Sequence, residues 1–155
     1  MKAFCTHLIA FTLLTGALTG CGQAQTTTAN HPATPEVAWL TDYDAALKQA
    51  QATNKLVVVD FFATWCGPCR AMERNTFADE KVRQRLADFV PVKIDVDKQA
   101  QISARYGIEA MPTTMILDSQ GKPLATSVGY LKPAEYLAVL NQVKSGGTMT
   151  NSVTK

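Results

Sequence analysis

Leu56-Val57-Val58-Val59-Asp60-Phe61-Phe62-Ala63-Thr64-Trp65-Cys66-Gly67-Pro68-Cys69-Arg70-Ala71-Met72-Glu73-Arg74 sets an apolar run, a pair of cysteines and a helix-compatible stretch in direct succession. The β-branched and aromatic run ending at Phe62 suits a buried central strand. Cys66 and Cys69 therefore fall where a strand hands over to a helix. A helix N-terminus carries partial positive charge, which favours a thiolate over a thiol. Two cysteines three positions apart can close into a disulfide and reopen, so thiol–disulfide exchange is the chemistry this stretch points to.

Outward from this junction, helical and extended patterns alternate. Asp42 to Thr53 carries Tyr43, Ala46, Leu47 and Ala50 at helical spacing, with Thr41 or Asp42 as cap and Asn54-Lys55 as break. The helix opened by Cys66 is expected to run to about Arg74, interrupted by Asn75-Thr76-Phe77, and Asp79 can cap a further helix through Leu86. Phe89 to Asp95 reads as the next strand, with Pro91 near its start. Lys98 to Tyr106 reads as a short helix ended by Gly107. Thr113 to Leu117 and Leu124 to Ser127 flank the turn Asp118-Ser119-Gln120-Gly121-Lys122. Pro133 to Val143 forms a last helix with Tyr136, Leu137 and Leu140 inward. This order predicts an α/β fold, a central mixed sheet flanked by helices.

The ends of the chain read differently. Residues 1–20 have a positive start at Lys2 and a mostly apolar stretch from Phe4 to Leu18, too short and too punctuated for a membrane span. Leu18-Thr19-Gly20-Cys21 resembles a bacterial lipobox, which implies cleavage before Cys21 and acylation of its sulfur. A plain secretory signal and an uncleaved anchor are the alternatives. Residues 21–36 hold no large apolar side chain up to Pro35 and read as the lipidated cysteine and a flexible tether, reaching on the order of 20 Å. Residues 37–144 are the expected folded domain, and residues 145–155 an expected disordered tail. Gly22 follows Cys21 where an Asp favours the inner membrane in lipoproteins of this kind. The resemblance therefore places the protein in a bacterial cell envelope, on the periplasmic side, with the outer membrane favoured if the cell is Gram-negative.

Four sequence blocks carry a wider resemblance: Val59 to Cys69, Val92-Lys93-Ile94-Asp95-Val96-Asp97, Tyr106-Gly107-Ile108-Glu109-Ala110-Met111-Pro112-Thr113, and Val128-Gly129-Tyr130. In order and spacing they resemble the thioredoxin family, over about Val37 to Lys144. One departure is informative. Arg74 stands near the place of the proline that kinks the active-site helix of ordinary thioredoxins. The run Met72 to Asp79, with Trp39 and the Ala45-Ala46 helix, instead resembles the C-terminal domain of the DsbD thiol:disulfide interchange protein. Phe62 stands where thioredoxins usually have Trp.

The chemistry is then assigned by residue. Cys66, at the first helical turn and expected beside solvent, attacks a substrate disulfide, and Cys69, one turn in, resolves the mixed disulfide. The alternative is a structural bridge, whose short loop stabilises little. Gly67-Pro68 allows the tight entry, because Pro in a first turn sacrifices no intrahelical bond. Asp60, inside an apolar strand, is expected to have a raised pKa and to accept the Cys69 proton. The family resemblance implies that Lys93 lies near Asp60 and modulates it. It also implies that Pro112 is cis and faces the cysteines, leaving the Met111 backbone for strand-like pairing with substrate. Trp65 is expected on the apolar rim around Cys66, and Gly129 where a substrate backbone approaches.

Other chemistries are excluded or disfavoured. The two histidines, His7 and His31, lie outside the folded domain, so no Cys–His or Ser–His pair is available there. One Cys-x-x-Cys supplies half a zinc site, and no resident metal is expected. Asp95-x-Asp97 reads as a solvated strand end. No cofactor is implied, because the dithiol itself carries two electrons. A net charge of +2 gives no support for nucleic-acid binding. The reading is a monomeric, membrane-tethered protein-disulfide reductase acting on disulfide-containing exported proteins and supplied by an upstream membrane thiol donor. An oxidase or isomerase, and a non-catalytic envelope assembly or holdase lipoprotein, are the rivals.

Overall fold

The computed structural model describes residues 36–147 and 149–150. The expected signal segment, Cys21 and the tether up to Pro35 lie outside the described residues. The elements are α1 (Tyr43–Thr53), β1 (Val57–Phe62), α2 (Gly67–Asn75), α3 (Glu80–Leu86), β2 (Val90–Asp95), α4 (Ala100–Arg105), β3 (Thr113–Leu117), β4 (Pro123–Val128), α5 (Pro133–Lys144) and β5 (Met149–Thr150). Among the described residues no helix is long and apolar enough to cross a membrane.

The strands form one mixed sheet in the order β2-β1-β3-β4-β5. β1 pairs parallel with β2 and antiparallel with β3, so it is central and both faces are covered. That explains the near-continuous apolar run Val57-Val58-Val59 and Phe61. Alternation sends Val57, Val59 and Phe61 to one core with Tyr43 and Ala46 of α1. Val58 goes to the other face, with Met72, Phe77, Leu86, Tyr136 and Leu140. A helix layer thus seals each side of the sheet.

Local chemistry sets the element ends. Asp42 caps α1 by accepting from the Ala45 amide at 2.9 Å, and Asn54 closes it in the left-handed region at φ +52°. Asp79 caps α3 through the Val82 amide at 3.1 Å. Glu135 reaches back to the Lys132 amide at 2.9 Å and fixes the start of α5. α4 is shorter than expected, Ala100–Arg105 in place of Lys98 to Tyr106. Its N-cap, Gln99, makes no side-chain capping bond, so nothing extends the helix backwards.

Two pairings depart from the sequence reading. Leu40 forms an isolated parallel bridge with Val92. Met149 and Thr150, in the stretch read as a disordered tail, pair parallel with Ala125 and Thr126 as β5. Without them β4 would present a row of unpaired backbone groups at the sheet edge.

Candidate active site

The strand-to-helix junction places the cysteines as the sequence predicts. Cys66 is the N-cap of α2, and its Sγ accepts a 3.2 Å hydrogen bond from the Cys69 amide. Pro68 lies in the first turn, and that turn holds no acidic residue to offset the positive helix end. The two sulfurs are joined as a disulfide with Cα atoms 5.3 Å apart.

The disulfide is more enclosed than expected. Cys66 is 4% exposed and Cys69 8%, so Cys66 does not stand open beside solvent in the oxidised state. Its sulfur packs with Ala63 and Cys69 against Phe62, Val96 and Met111. The adjacent Trp65 is 64% exposed, which makes it an apolar rim at the mouth. Its indole N–H donates to Asp97 Oδ2 at 2.9 Å and is thereby oriented. Gly67 leaves open space beside Cys66, since a Cβ there would meet nothing within 4 Å, and its backbone needs no glycine. The tight entry into α2 therefore rests on Pro68 and the Cys66 cap.

The Met111–Pro112 peptide is cis, as the family resemblance implies. Pro112 is buried and its carbonyl accepts from the Gly129 amide at 2.7 Å, while Met111 packs on the cysteine cluster. Two segments, Met111-Pro112 and Gly129, thus meet, with Met111 against the disulfide. Gly129 has φ +95° and nothing near a would-be Cβ, so its glycine is required by backbone conformation.

Asp60 lies at the centre of the sheet, 3% exposed. Burial pushes its carboxyl up to about 6; Lys93 pulls it down less strongly, and Glu73 adds to the rise. Lys93 Nζ sits 3.5 Å from Asp60 Oδ2 and also hydrogen-bonds Glu73. The ammonium is further enclosed by the rings of Trp39, Phe62 and Phe77, with centroids 5.1–5.2 Å away. A cavity of about 160 Å³ lined by Phe62, Thr64, Cys69, Arg70, Glu73 and Lys93 connects Lys93 and Glu73 to Cys69.

Sequence reading missed Glu73 and Asp97 as members of the site. Glu73 had a signal, because it lies four residues after Cys69 and so on the same helical face. Asp97 had none, since its partner Trp65 lies on another element. Asp95 is not a solvated strand end. It is 6% exposed, accepts from the Asp97 amide at 3.1 Å and faces Lys98 at 3.5 Å.

Residues 43–144 match the family model described as a thioredoxin-like domain. The chain belongs to the thioredoxin family. This thioredoxin-family chain is 40% identical over 96 residues to the thioredoxin of Mycoplasmoides gallisepticum, covering 62% of the chain and 92% of that protein. It is 36% identical over 109 residues to the thiol:disulfide interchange protein DsbD of Ralstonia nicotianae, covering 66% of the chain but only 18% of the DsbD length. It superposes on the solution structure of a Thermus thermophilus thioredoxin with a TM-score of 0.65 at 28% identity, covering 73% of this chain and 91% of that one. These relatives support a redox enzyme of the thiol:disulfide oxidoreductase class.

Proposed function

We propose that this thioredoxin-family domain reduces protein disulfides outside the cytoplasm while held to a membrane through acylated Cys21. The observation that carries the chemistry is the Cys66–Cys69 disulfide at the N-terminus of α2, with the Cys69 amide aimed at Cys66 Sγ. An amide donor and a positive helix end favour a thiolate at Cys66 in the reduced state.

The thiolate of Cys66 attacks one sulfur of a substrate disulfide, forms the mixed disulfide and expels the other substrate sulfur as a thiolate. Cys69 then gives its proton to the Asp60 carboxylate across the Lys93-lined cavity. Its sulfur attacks Cys66 Sγ and releases the second substrate thiolate. The substrate gains two electrons, and the chain returns to the Cys66–Cys69 disulfide. Trp65, Met111, Pro112 and Gly129 receive the substrate segment, and Gly67 leaves room for it next to Cys66. The substrates are disulfide-containing exported proteins, and an upstream thiol donor at the same membrane restores the dithiol. The domain works as a monomer and requires no cofactor, because its own sulfurs store the electrons.

The direction is tested in cells by tagging free thiols and reading Cys66 and Cys69. A mostly dithiol pool is expected for a reductase kept charged by a donor. A mostly disulfide pool overturns that direction in favour of oxidase work.

A further inference from the structure

A row of polar side chains crosses the sheet. Strand register sets Lys93, Asp60, Thr114 and Ser127 side by side on β2, β1, β3 and β4. Residues in register on neighbouring strands share a face and interact. Asp60, Thr114 and Ser127 are 3%, 4% and 8% exposed. They lie two residues from Val58, Ile116 and Ala125, which pack into the core beneath α2 and α5. From α5, Tyr136 enters that same core at 1% exposure.

Lys93 faces Asp60 Oδ2. The other carboxylate oxygen, Oδ1, has no hydrogen-bond partner among the described residues, and Thr114 Oγ1 and Tyr136 Oη have none of good geometry, each meeting only the other loosely. Tyr136 interacts with both of the other groups. Burial first, and then the Asp60 charge, push the Tyr136 phenol well above its ordinary value, while the nearby Thr114 hydroxyl eases it. Buried polar groups in folded proteins nearly always find partners, directly or through an internal water. A Val and a Phe would fill the same space without hydroxyls, so these two polar residues require an account that packing does not supply.

We propose that Thr114 and Tyr136 are positioning residues for Asp60, their hydroxyls donating to its free Oδ1 through a shared internal water. The proposal rests on the reading of Asp60 as the group that exchanges a proton with Cys69. In that exchange the Cys69 S–H bond breaks, the proton goes to the Asp60 carboxylate, and the freed electron pair forms the bond to Cys66 Sγ. Hydroxyl donors favour the charged carboxylate over the neutral acid. They hold Asp60 available as a proton acceptor near neutral pH, against the burial that disfavours its charge. The titratable and charged groups facing Asp60 are Lys93 from β2, Glu73 from α2 and Tyr136 from α5; Cys69 lines the cavity that Lys93 and Glu73 also line, and β3 contributes only the Thr114 hydroxyl.

The test is a carbon-13 NMR titration of the Asp60 carboxyl in the full chain, for Thr114→Val, Tyr136→Phe, both together, and Thr114→Ser. The two single variants are expected to move the Asp60 midpoint upward, the double variant by about one pH unit, and Thr114→Ser to leave it in place. A folded double variant whose midpoint is unmoved or lowered overturns the proposal, and so does a Thr114→Ser shift equal to that of Thr114→Val. A merely packing role would change melting temperature but not this midpoint. The underlying reading is separated by the pH dependence of mixed-disulfide resolution in Asp60→Asn. Loss of the pH step there supports Asp60 as the acceptor. Its persistence removes the catalytic consequence whatever the titration shows.

Discussion

Lys93 Nζ lies 3.5 Å from the buried carboxylate of Asp60 while also bonding Glu73, so one ammonium ties the centre of the sheet to the active-site helix. The attraction does not compensate for burial, because Asp60 is still pushed from 3.8 up to about 6. Burial outweighs a single ion-pair partner.

This imbalance makes stability depend on pH. The folded protein keeps a proton on Asp60 that the unfolded chain loses between 3.8 and about 6. The stabilisation is fully present at acid pH below the unfolded value and is lost as pH rises through about 6. A shift of about two units corresponds to about 3 kcal/mol. Oxidised Asp60→Asn is therefore expected to melt above the parent at pH 8, with the gap closing near pH 4. Calorimetry showing the parent more stable at pH 8 would falsify a net cost for the carboxylate.

The two neighbours of Asp60 act in opposite senses. Lys93 lowers its pKa and Glu73 raises it. Lys93→Met should move the Asp60 titration up and Glu73→Gln should move it down, read from the infrared carboxyl band. Shifts of the same sign would contradict this electrostatic arrangement.

The cysteines should differ when each is replaced. Cys69→Ser is expected to accumulate mixed disulfides through Cys66, because the resolving sulfur is gone. Cys66→Ser is expected to lose insulin reduction altogether. Non-reducing gels of trapped complexes and a turbidity assay distinguish the two, and full turnover by Cys66→Ser contradicts the assignment.

Trp65 is held at the mouth by one hydrogen bond to Asp97. Asp97→Ala frees an exposed indole without opening the core. KM for a protein disulfide is expected to rise roughly 2- to 5-fold, the worth of one ordinary hydrogen bond, with kcat little changed. An unchanged KM in steady-state kinetics contradicts a role in substrate contact.

Gly121 has φ +82°, and a Cβ there would stand 2.8 Å from Tyr43 Oη and 3.2 Å from Tyr106 Oη. Tyr106 also donates to the Gly121 carbonyl at 2.8 Å. Gly121→Ala combines a left-handed backbone with a steric clash and is expected to cost about 2 kcal/mol or more. Chemical denaturation measures this; any thiol–disulfide exchange activity should survive, because the turn lies away from the Cys66–Cys69 disulfide.

Much of this was legible in the chain because it is local. Apolar periodicity placed β1 and α5, side-chain caps placed α1 and α3, and Cys66-Gly67-Pro68-Cys69 located the disulfide-bearing start of α2. Asp60 was legible as a buried carboxylate because it sits inside the apolar run Val58-Val59-Asp60-Phe61, although a solvated edge position fitted the same pattern. What the residues did not carry was pairing between distant segments. Register alone brings Lys93, Asp60, Thr114 and Ser127 into one row. Helix placement alone sets Glu73 on Lys93 and Tyr136 over the same core face. The sequence by itself determined the five helices, strands β1 to β4 and which two cysteines of the domain lie close enough to pair, because those follow from propensity and short-range spacing. Only the tertiary structure decided how enclosed Cys66 is, which groups surround the Asp60 proton and that β5 covers the sheet edge, since desolvation and pairing depend on what other parts of the chain bring close.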